Sequence, residues 1–376
     1  MNSIDSYERY QRQVILKGFG EEAQQKLLQA KVLVIGAGGL GCPVLQYLVA
    51  AGAGTIGIVD DDVVALNNLQ RQVLYSVNDI GLSKAERAAS ILQQLNPGIK
   101  IISCNERLTT QNALTIINAF DIVIDGTDNF SSRYMINDAC VLLNKPLVYG
   151  AISQFEGQLA VFNCRKYGHE ESVNYRDVFP DPPKDDEVLN CAEAGVLGVL
   201  PGIIGAMMAN ETIKLITGIG EPLINQLMTY NALTNLVYQL HLSARKETRS
   251  LVPEDEAAFL RRDYEWICTS SSRSLEIDIE NFNRLLVSGD TAVIDVREPG
   301  ELPLVTEFAS AQIPLQQLKE NLPAFKEGTI LVFCQSGKRS LQAAQWLFDT
   351  FGKTKKIYSL RGGILPWKKQ QVKQPV

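Results

Sequence analysis

Histidine is scarce: the 376 residues include only His169 and His241, so chemistry that needs an imidazole acid or base has little to draw on. Cysteine occurs seven times, at irregular spacing, and no two stand as Cys-x-x-Cys. That excludes a disulfide framework and offers no paired-thiolate zinc signal. No run is dense in lysine or arginine and the formal net charge is −6, so no nucleic-acid surface is expected. The N-terminal residues lack the basic start and apolar core of a signal peptide. The most apolar stretch, Val196 to Ala209, is too short for a membrane span and carries Pro201 and three glycines. These absences predict a cytoplasmic protein with no membrane or nucleic-acid partner.

The stretch that organises the chain begins at Lys31. Lys31 to Ile35 is a β-branched apolar run, which reads as a buried parallel strand. It ends in Gly36-x-Gly38-x-x-Gly41, with Val44, Leu45, Leu48 and Val49 following at helical spacing. Strand, glycine turn and helix are the context in which backbone N–H groups and a helix N-terminus receive a phosphate. A second apolar run, Ile56 to Val59, ends in Asp60, roughly 20 residues past the glycines, where an acid accepts ribose hydroxyls.

Strands and helical patterns alternate over residues 31–151. Gly81-Leu-Ser-Lys84 opens a helix that stops at Asn96-Pro97-Gly98. Ile99 to Cys104 and Asp121 to Asp125 read as strands, and the second runs into Gly126-Thr127-Asp128-Asn129. The pattern predicts an α/β fold, a doubly wound, mostly parallel Rossmann-like sheet with helices on both faces. Residues 164–190 form a polar, proline-punctuated loop of a length that usually serves function. Val196 to Ile216 reads as a helix, and Leu227 to Tyr230 and Leu236 to Leu240 as closing strands. The expected division is a nucleotide-binding domain over 1–242, a charged and then serine-rich linker over 243–275, and a smaller α/β domain over 276–376.

A dehydrogenase would share the glycine turn and the acid. Arg71, Lys84 and Asp128, however, each follow a strand or open a helix, near the strand carboxyl ends where such sheets bind ligands. Two cations and a carboxylate suit a triphosphate with magnesium, and hydride transfer needs none of them.

Residues 7–242 resemble the adenylyltransferases that activate ubiquitin-like sulfur carriers, the molybdopterin-synthase and thiamine-carrier enzymes (MoeB and ThiF types) related to ubiquitin-activating enzymes. The resemblance rests on Arg9-Tyr-x-Arg12-Gln, Gly36-x-Gly-Gly-Leu-Gly-Cys42, Asp60-x-Asp62, Asn68-Leu-x-Arg71-Gln, Lys84, Thr127-Asp128-Asn129 and Cys191-x-x-Ala-Gly-Val196. It implies ATP and magnesium as ligands. Gly36, Gly38, Gly39 and Gly41 would cradle phosphates and Asp60 would bind ribose. Asn68, Arg71 and Lys84 would hold phosphates, with Asn67 and Asn129 beside them, and Asp128 would bind magnesium. Arg12 would reach into the partner subunit's site of a homodimer, or is a solvated surface arginine. The implied substrate is a ubiquitin-like sulfur carrier of MoaD or ThiS type with a Gly-Gly end, and the implied sulfur donor a protein such as a cysteine desulfurase. A carboxylate nucleophile needs positioning and charge neutralisation rather than a base, which agrees with the missing histidines.

Cys42 reads as a small core residue on the first helix, and Asp61 as a solvated neighbour. Cys191 precedes an apolar helical run, where a helix N-terminus lowers a thiol pKa. In the resembling families it can bond to the carrier or to a persulfide; the alternative is a buried structural cysteine. One departure is plain. Those families hold a zinc ion with two Cys-x-x-Cys pairs, whereas Asn174-Tyr-Arg-Asp177 stands in place of the first pair, and residues 240–252 have no cysteine. The structural zinc is therefore expected to be absent, with the crossover loop held by packing alone.

The C-terminal segment 276–372 resembles a rhodanese domain, through Asp295-Val-Arg-Glu-Pro299, Cys334-Gln-Ser-Gly-Lys338-Arg339 and Leu360-x-Gly-Gly363. A phosphatase loop would need five residues between cysteine and arginine; here there are four, a cradle sized for sulfur. Gln312-Ile-Pro314 replaces the usual His-Ile-Pro, and an inactive remnant remains the alternative. The loop N–H groups, with Lys338 and Arg339, would favour a thiolate or persulfide at Cys334. The joined expectation is an acyl-adenylate attacked by a Cys334 persulfide to give a thiocarboxylate, with Cys191 able to resolve the link. The other class left open is a scaffold that binds nucleotide without turnover.

Overall fold

The computed structural model describes residues 3–165, 172–182, 195–265, 275–320, 322–352 and 354–371. Cys191, His169, Cys268 and the serine-rich stretch 269–274 lie outside the described residues. Apart from a short stretch after Pro180, residues up to Leu260 form one compact unit and those from Arg261 a second. Residues 243–260, expected as linker, thus belong to the first unit. They carry a 3-10 turn, Glu247–Leu251, and the start of the helix Glu256–Arg261, with Thr248 and Phe259 buried.

The first unit is built on an eight-stranded sheet: β1 (Lys31–Ile35), β2 (Thr55–Val59), β3 (Lys100–Cys104), β4 (Ile122–Asp125), β5 (Leu147–Ser153), β6 (Glu156–Phe162), β7 (Gln226–Asn231) and β8 (Val237–His241). The strand order is β3-β2-β1-β4-β5-β6-β7-β8. The pairs from β3 to β5 are parallel. The connections between these strands are crossovers, carried in chain order by the helices Gly41–Ala51, Lys84–Leu95, Ala113–Asn118 and Phe130–Leu142. From β5 onward the pairing is antiparallel. The central strands are buried on both faces, as their continuous apolar runs require.

The helix Val199–Thr217 extends past the apolar stretch picked out in the sequence, and by length and composition alone it could cross a membrane. Here it is a core helix. A Cβ on Gly157 would stand 2.4 Å from Ile204, and one on Gly150 2.3 Å from Met208 Sδ, so the two strand glycines let it press onto β5 and β6.

The second unit has a five-stranded, all-parallel sheet: β9 (Glu276–Ile277), β10 (Thr291–Asp295), β11 (Ala311–Gln312), β12 (Thr329–Phe333) and β13 (Lys356–Leu360), in the order β11-β10-β12-β13-β9. Ile330 and Val332 of β12 pack with Ala343, Ala344 and Leu347, and Leu331 and Phe333 face Phe282 and Trp367. Alternate side chains of this one strand thereby feed both halves of the core.

Candidate active site

The register of the first sheet sets the site. Ile35 lies level with Val59 on one side and Asp125 on the other, so three strands end together at Gly36, Asp60 and Gly126. β1 is where the connections diverge to either side, the position at which open α/β sheets bind ligands. Gly36 has φ +93°, and a Cβ there would sit 2.8 Å from the Gly126 carbonyl. At Gly41 a Cβ would fall 1.9 Å from the Gly36 carbonyl. Neither site admits a side chain without moving backbone.

A cavity of about 300 Å³ opens over these strand ends, lined by Gly36, Gly38, Gly39, Asp60, Asp62, Arg71, Lys84, Asp128 and Asn129. The half-buried Asp60 carboxylate accepts the Ala37 N–H at 2.7 Å and the Asp62 N–H at 2.9 Å. Burial nonetheless holds its pKa above the usual carboxylate value, the two amides offsetting part of the effect. Lys84 opens its helix behind Ser83, whose hydroxyl accepts the Glu86 N–H. Its side chain is 6% exposed, and Nζ meets Asp62 Oδ2 at 2.8 Å, while Asp62 is 71% exposed. Arg71 donates to the Asn67 carbonyl at 3.0 Å and keeps the rest of its guanidinium at the cavity wall. Asp125 braces the turn beyond β4: Oδ1 accepts the Thr127 N–H at 2.9 Å and its hydroxyl at 2.6 Å. That turn sets the exposed Asp128 at the rim.

The structure therefore gathers the four glycines named above except Gly41, which serves the turn itself, with Asp60, Arg71, Lys84, Asp128 and Asn129. Asn129 also caps the following helix, its Oδ1 accepting the Ser132 N–H at 2.9 Å. Asn67 and Asn68 do not line the cavity; Asn68 accepts the Ala65 N–H at 3.2 Å and shapes the 3-10 turn that carries Arg71. Arg12 is exposed on the helix Ser3–Val14 and does not line it either. Cys42 is fully buried, its thiol pushed up to about 12 chiefly by burial, as befits a core residue. Among the wall residues that sequence reasoning did not name as site residues are Gln72, Arg107 and Arg133. Gln72 adjoins Arg71 in the quoted motif, and its buried Oε1 has no hydrogen-bond partner.

In the second unit Cys334 follows β12 directly and is fully buried. Its loop closes at Gly337, φ +90°, before the helix Lys338–Phe351. The Cys334 carbonyl accepts the Ile364 N–H at 2.8 Å, a close approach that only glycine at 363 permits. Arg339, expected to add positive charge beside the sulfur, also has a carboxylate partner. It forks onto Glu301 at 2.6 Å through both nitrogens, and that pairing lowers the Glu301 carboxyl to about 2. Gln335 donates to the Leu302 carbonyl at 3.0 Å, so the same segment braces the loop twice.

The sequence matches the ThiF family over residues 10–251 and the rhodanese-like domain over 278–370. The "Probable adenylyltransferase/sulfurtransferase MoeZ" of Mycobacterium tuberculosis is 40% identical, over 98% of this chain and 94% of its own. A sulfur carrier protein adenylyltransferase of Thermus thermophilus is 48% identical over 70% of this chain and 97% of its own. An adenylyltransferase and sulfurtransferase of Xenopus laevis, MOCS3, is 35% identical over 96% and 85%. Among solved structures, E. coli MccB with ATP shares the fold at 22% identity and TM-score 0.55, over 63% of this chain and 72% of that one.

Proposed function

This chain belongs to the ThiF family, with a rhodanese-like domain behind that region, and from that premise we propose that it adenylates and then thiolates a small ubiquitin-like sulfur carrier. The substrates are MgATP and a carrier of MoaD type with a C-terminal glycine; a ThiS-type carrier for the thiamine pathway is the alternative. What carries the reading is the cavity in which Arg71 and Lys84 accompany Asp128 at the glycine turn.

The carrier carboxylate oxygen attacks the α-phosphorus, the bond to the β-phosphate oxygen breaks, and pyrophosphate leaves with the electron pair. No proton moves, so no base is required. Arg71 and Lys84 offset the charge on the phosphates, the backbone at Gly38 and Gly39 gives them room to approach, and Asp60 takes the ribose. The exposed Asp128 carboxylate would hold the magnesium of MgATP, supplying the hard oxygen ligand such an ion takes beside phosphate oxygens. The terminal sulfur of a Cys334 persulfide then attacks the acyl carbon and AMP leaves. A second thiol, Cys191, attacks the Cys334 sulfur, releasing the thiocarboxylate and leaving a disulfide that an external thiol reduces. A cysteine desulfurase would reload Cys334. The protein acts as a cytoplasmic homodimer in this reading, Arg12 serving the partner's cavity.

The test is carrier-dependent exchange of pyrophosphate into ATP, run with each carrier. Exchange is expected with the MoaD type and lost in Asp128→Ala. Binding of ATP without exchange on either carrier would replace the reading by a nucleotide-binding scaffold.

A further inference from the structure

The two stretches that stand where the resemblance places zinc-binding cysteine pairs meet in the first unit, and their side chains do not suit zinc. Asn174 caps the short helix Tyr175–Val178, and Asp177 lies within it. Arg245 and Thr248 occupy the tail around the turn Glu247–Leu251. Zinc takes thiolate, imidazole or clustered carboxylate. Here the pair of i, i+3 positions on each side offers an amide with a carboxylate, and a guanidinium with a hydroxyl. No group of three or more His, Cys, Asp or Glu fit to hold a metal ion occurs among the described residues.

What joins the two stretches is one carboxylate. Asp177, 3% exposed, accepts the Asn174 N–H and the Asn174 side-chain amide at Oδ2, each at 2.8 Å. At Oδ1 it accepts the Arg245 N–H at 3.0 Å and the Thr248 hydroxyl at 2.5 Å. Two donors come from each side of the junction, so the carboxylate fills its lone pairs by tying them together. The segment has further roots. Arg176 forks onto the buried Asp138 at 2.7 Å through two nitrogens, and the Tyr175 N–H reaches Asn137 Oδ1 at 2.9 Å. The expectation that packing alone holds this loop is therefore corrected.

We infer that Asp177 organises a metal-free clasp that fastens residues 174–178 to 245–248, by charge-assisted hydrogen bonds in place of a metal cross-link. The charge matters, because hydrogen bonds to an ionised acceptor are the strong ones. The clasp is independent of the adenylation reading and stands or falls on its own measurements.

The full chain is compared with Asp177→Ala, Asp177→Asn, Thr248→Val and the Asp177→Ala/Thr248→Val double variant. Three quantities are read: zinc content, melting temperature with and without chelator, and the rate of native-state trypsin cleavage between Arg245 and Arg249. The parent should hold no stoichiometric zinc, and chelator should leave its melting temperature unchanged. Asp177→Ala should speed cleavage on the order of tenfold or more, the opening expected when a charged acceptor is removed. The double variant should fall clearly short of the sum of the two single effects, because both substitutions remove the same Thr248–Asp177 bond, while the other contact of that hydroxyl, 2.8 Å from the Arg245 carbonyl, stays within its own turn. Asp177→Asn, which keeps an acceptor toward Arg245 and Thr248 but turns a donor toward Asn174, should lie between. Should Asp177→Ala fail to fold, Thr248→Val must still show faster cleavage. One zinc per chain whose removal lowers the melting temperature, additive effects of the two substitutions, or parental cleavage rates in Thr248→Val would overturn the inference.

Discussion

Replacing Lys84 by methionine takes one charge from the cavity and leaves an apolar stem of similar length behind. Two effects compete, and the structure separates them. The ion pair is lopsided: the lysine side chain is 6% exposed but its partner Asp62 is 71% exposed. Freed of the ammonium, Asp62 rehydrates, so the stability lost is that of a largely solvated pair, about 1 kcal/mol or less. In a unit of this size that lowers the melting temperature by roughly 2–4 °C at most. If, as proposed, the ammonium serves phosphate oxygens in the cavity that Lys84 lines, the catalytic loss is larger. Removing one such preorganised donor costs about 3–4 kcal/mol, on the order of a hundred- to a thousandfold in rate. The assay is pyrophosphate exchange at saturating carrier, with melting measured on the same preparation. Exchange within tenfold of the parent, or a fall in activity that merely follows a fall in melting temperature, would refute the placement of Lys84 on the phosphates.

Cys334→Ala should keep exchange near the parental rate and abolish thiocarboxylate formation, while Arg71→Ala should do the reverse and spare thiosulfate-to-cyanide transfer; thiocarboxylate made by Cys334→Ala with sulfide excluded would remove the second unit as donor. Cys42, with its thiol pushed up to about 12, should resist alkylation in the native protein. At pH 8 its thiolate fraction is about one in ten thousand, against roughly a quarter for an ordinary thiol, and mass spectrometry of the labelled peptide reads the difference. Asp138→Ala takes the bidentate carboxylate partner from the Arg176 guanidinium, 1% exposed, and should lower stability by about 3–5 kcal/mol in denaturant titration; Asp138→Ala combined with Arg176→Met should recover part of it. For the second unit the sign follows from a depressed carboxyl. Arg339 holds Glu301 near 2 against roughly 4.3 unfolded, so the pair's contribution is full above the unfolded value and is lost as pH falls toward 2. Acid titration of Glu301→Gln should therefore show a shallower loss of stability than the parent between those two values.

Much of the architecture was legible because it is local. The run Val32 to Ile35 is apolar at every position and buried at every position, and a strand covered on both faces has no other way to be written. Gly36 and Gly41 announce a backbone contact that a single methyl group would destroy, so their spacing alone located the tight turn at the end of β1. The small, apolar surroundings of Cys42 marked it as core before its burial was seen. Rearrangements over long sequence distances were another matter. Nothing in the sequence pairs Asp177 with Thr248, 71 residues apart, or Arg339 with Glu301, 38 apart. Composition shows an absent cysteine pair, but not the carboxylate that takes over the junction. Nor does a motif say which of its members reach the cavity: Arg71 and Lys84 do, while Asn68 spends its side chain on the turn that delivers Arg71. Periodicity records which face of an element is buried. Which charge meets which is decided only once sheet register and tail have fixed the distances over which a hydrogen bond can form.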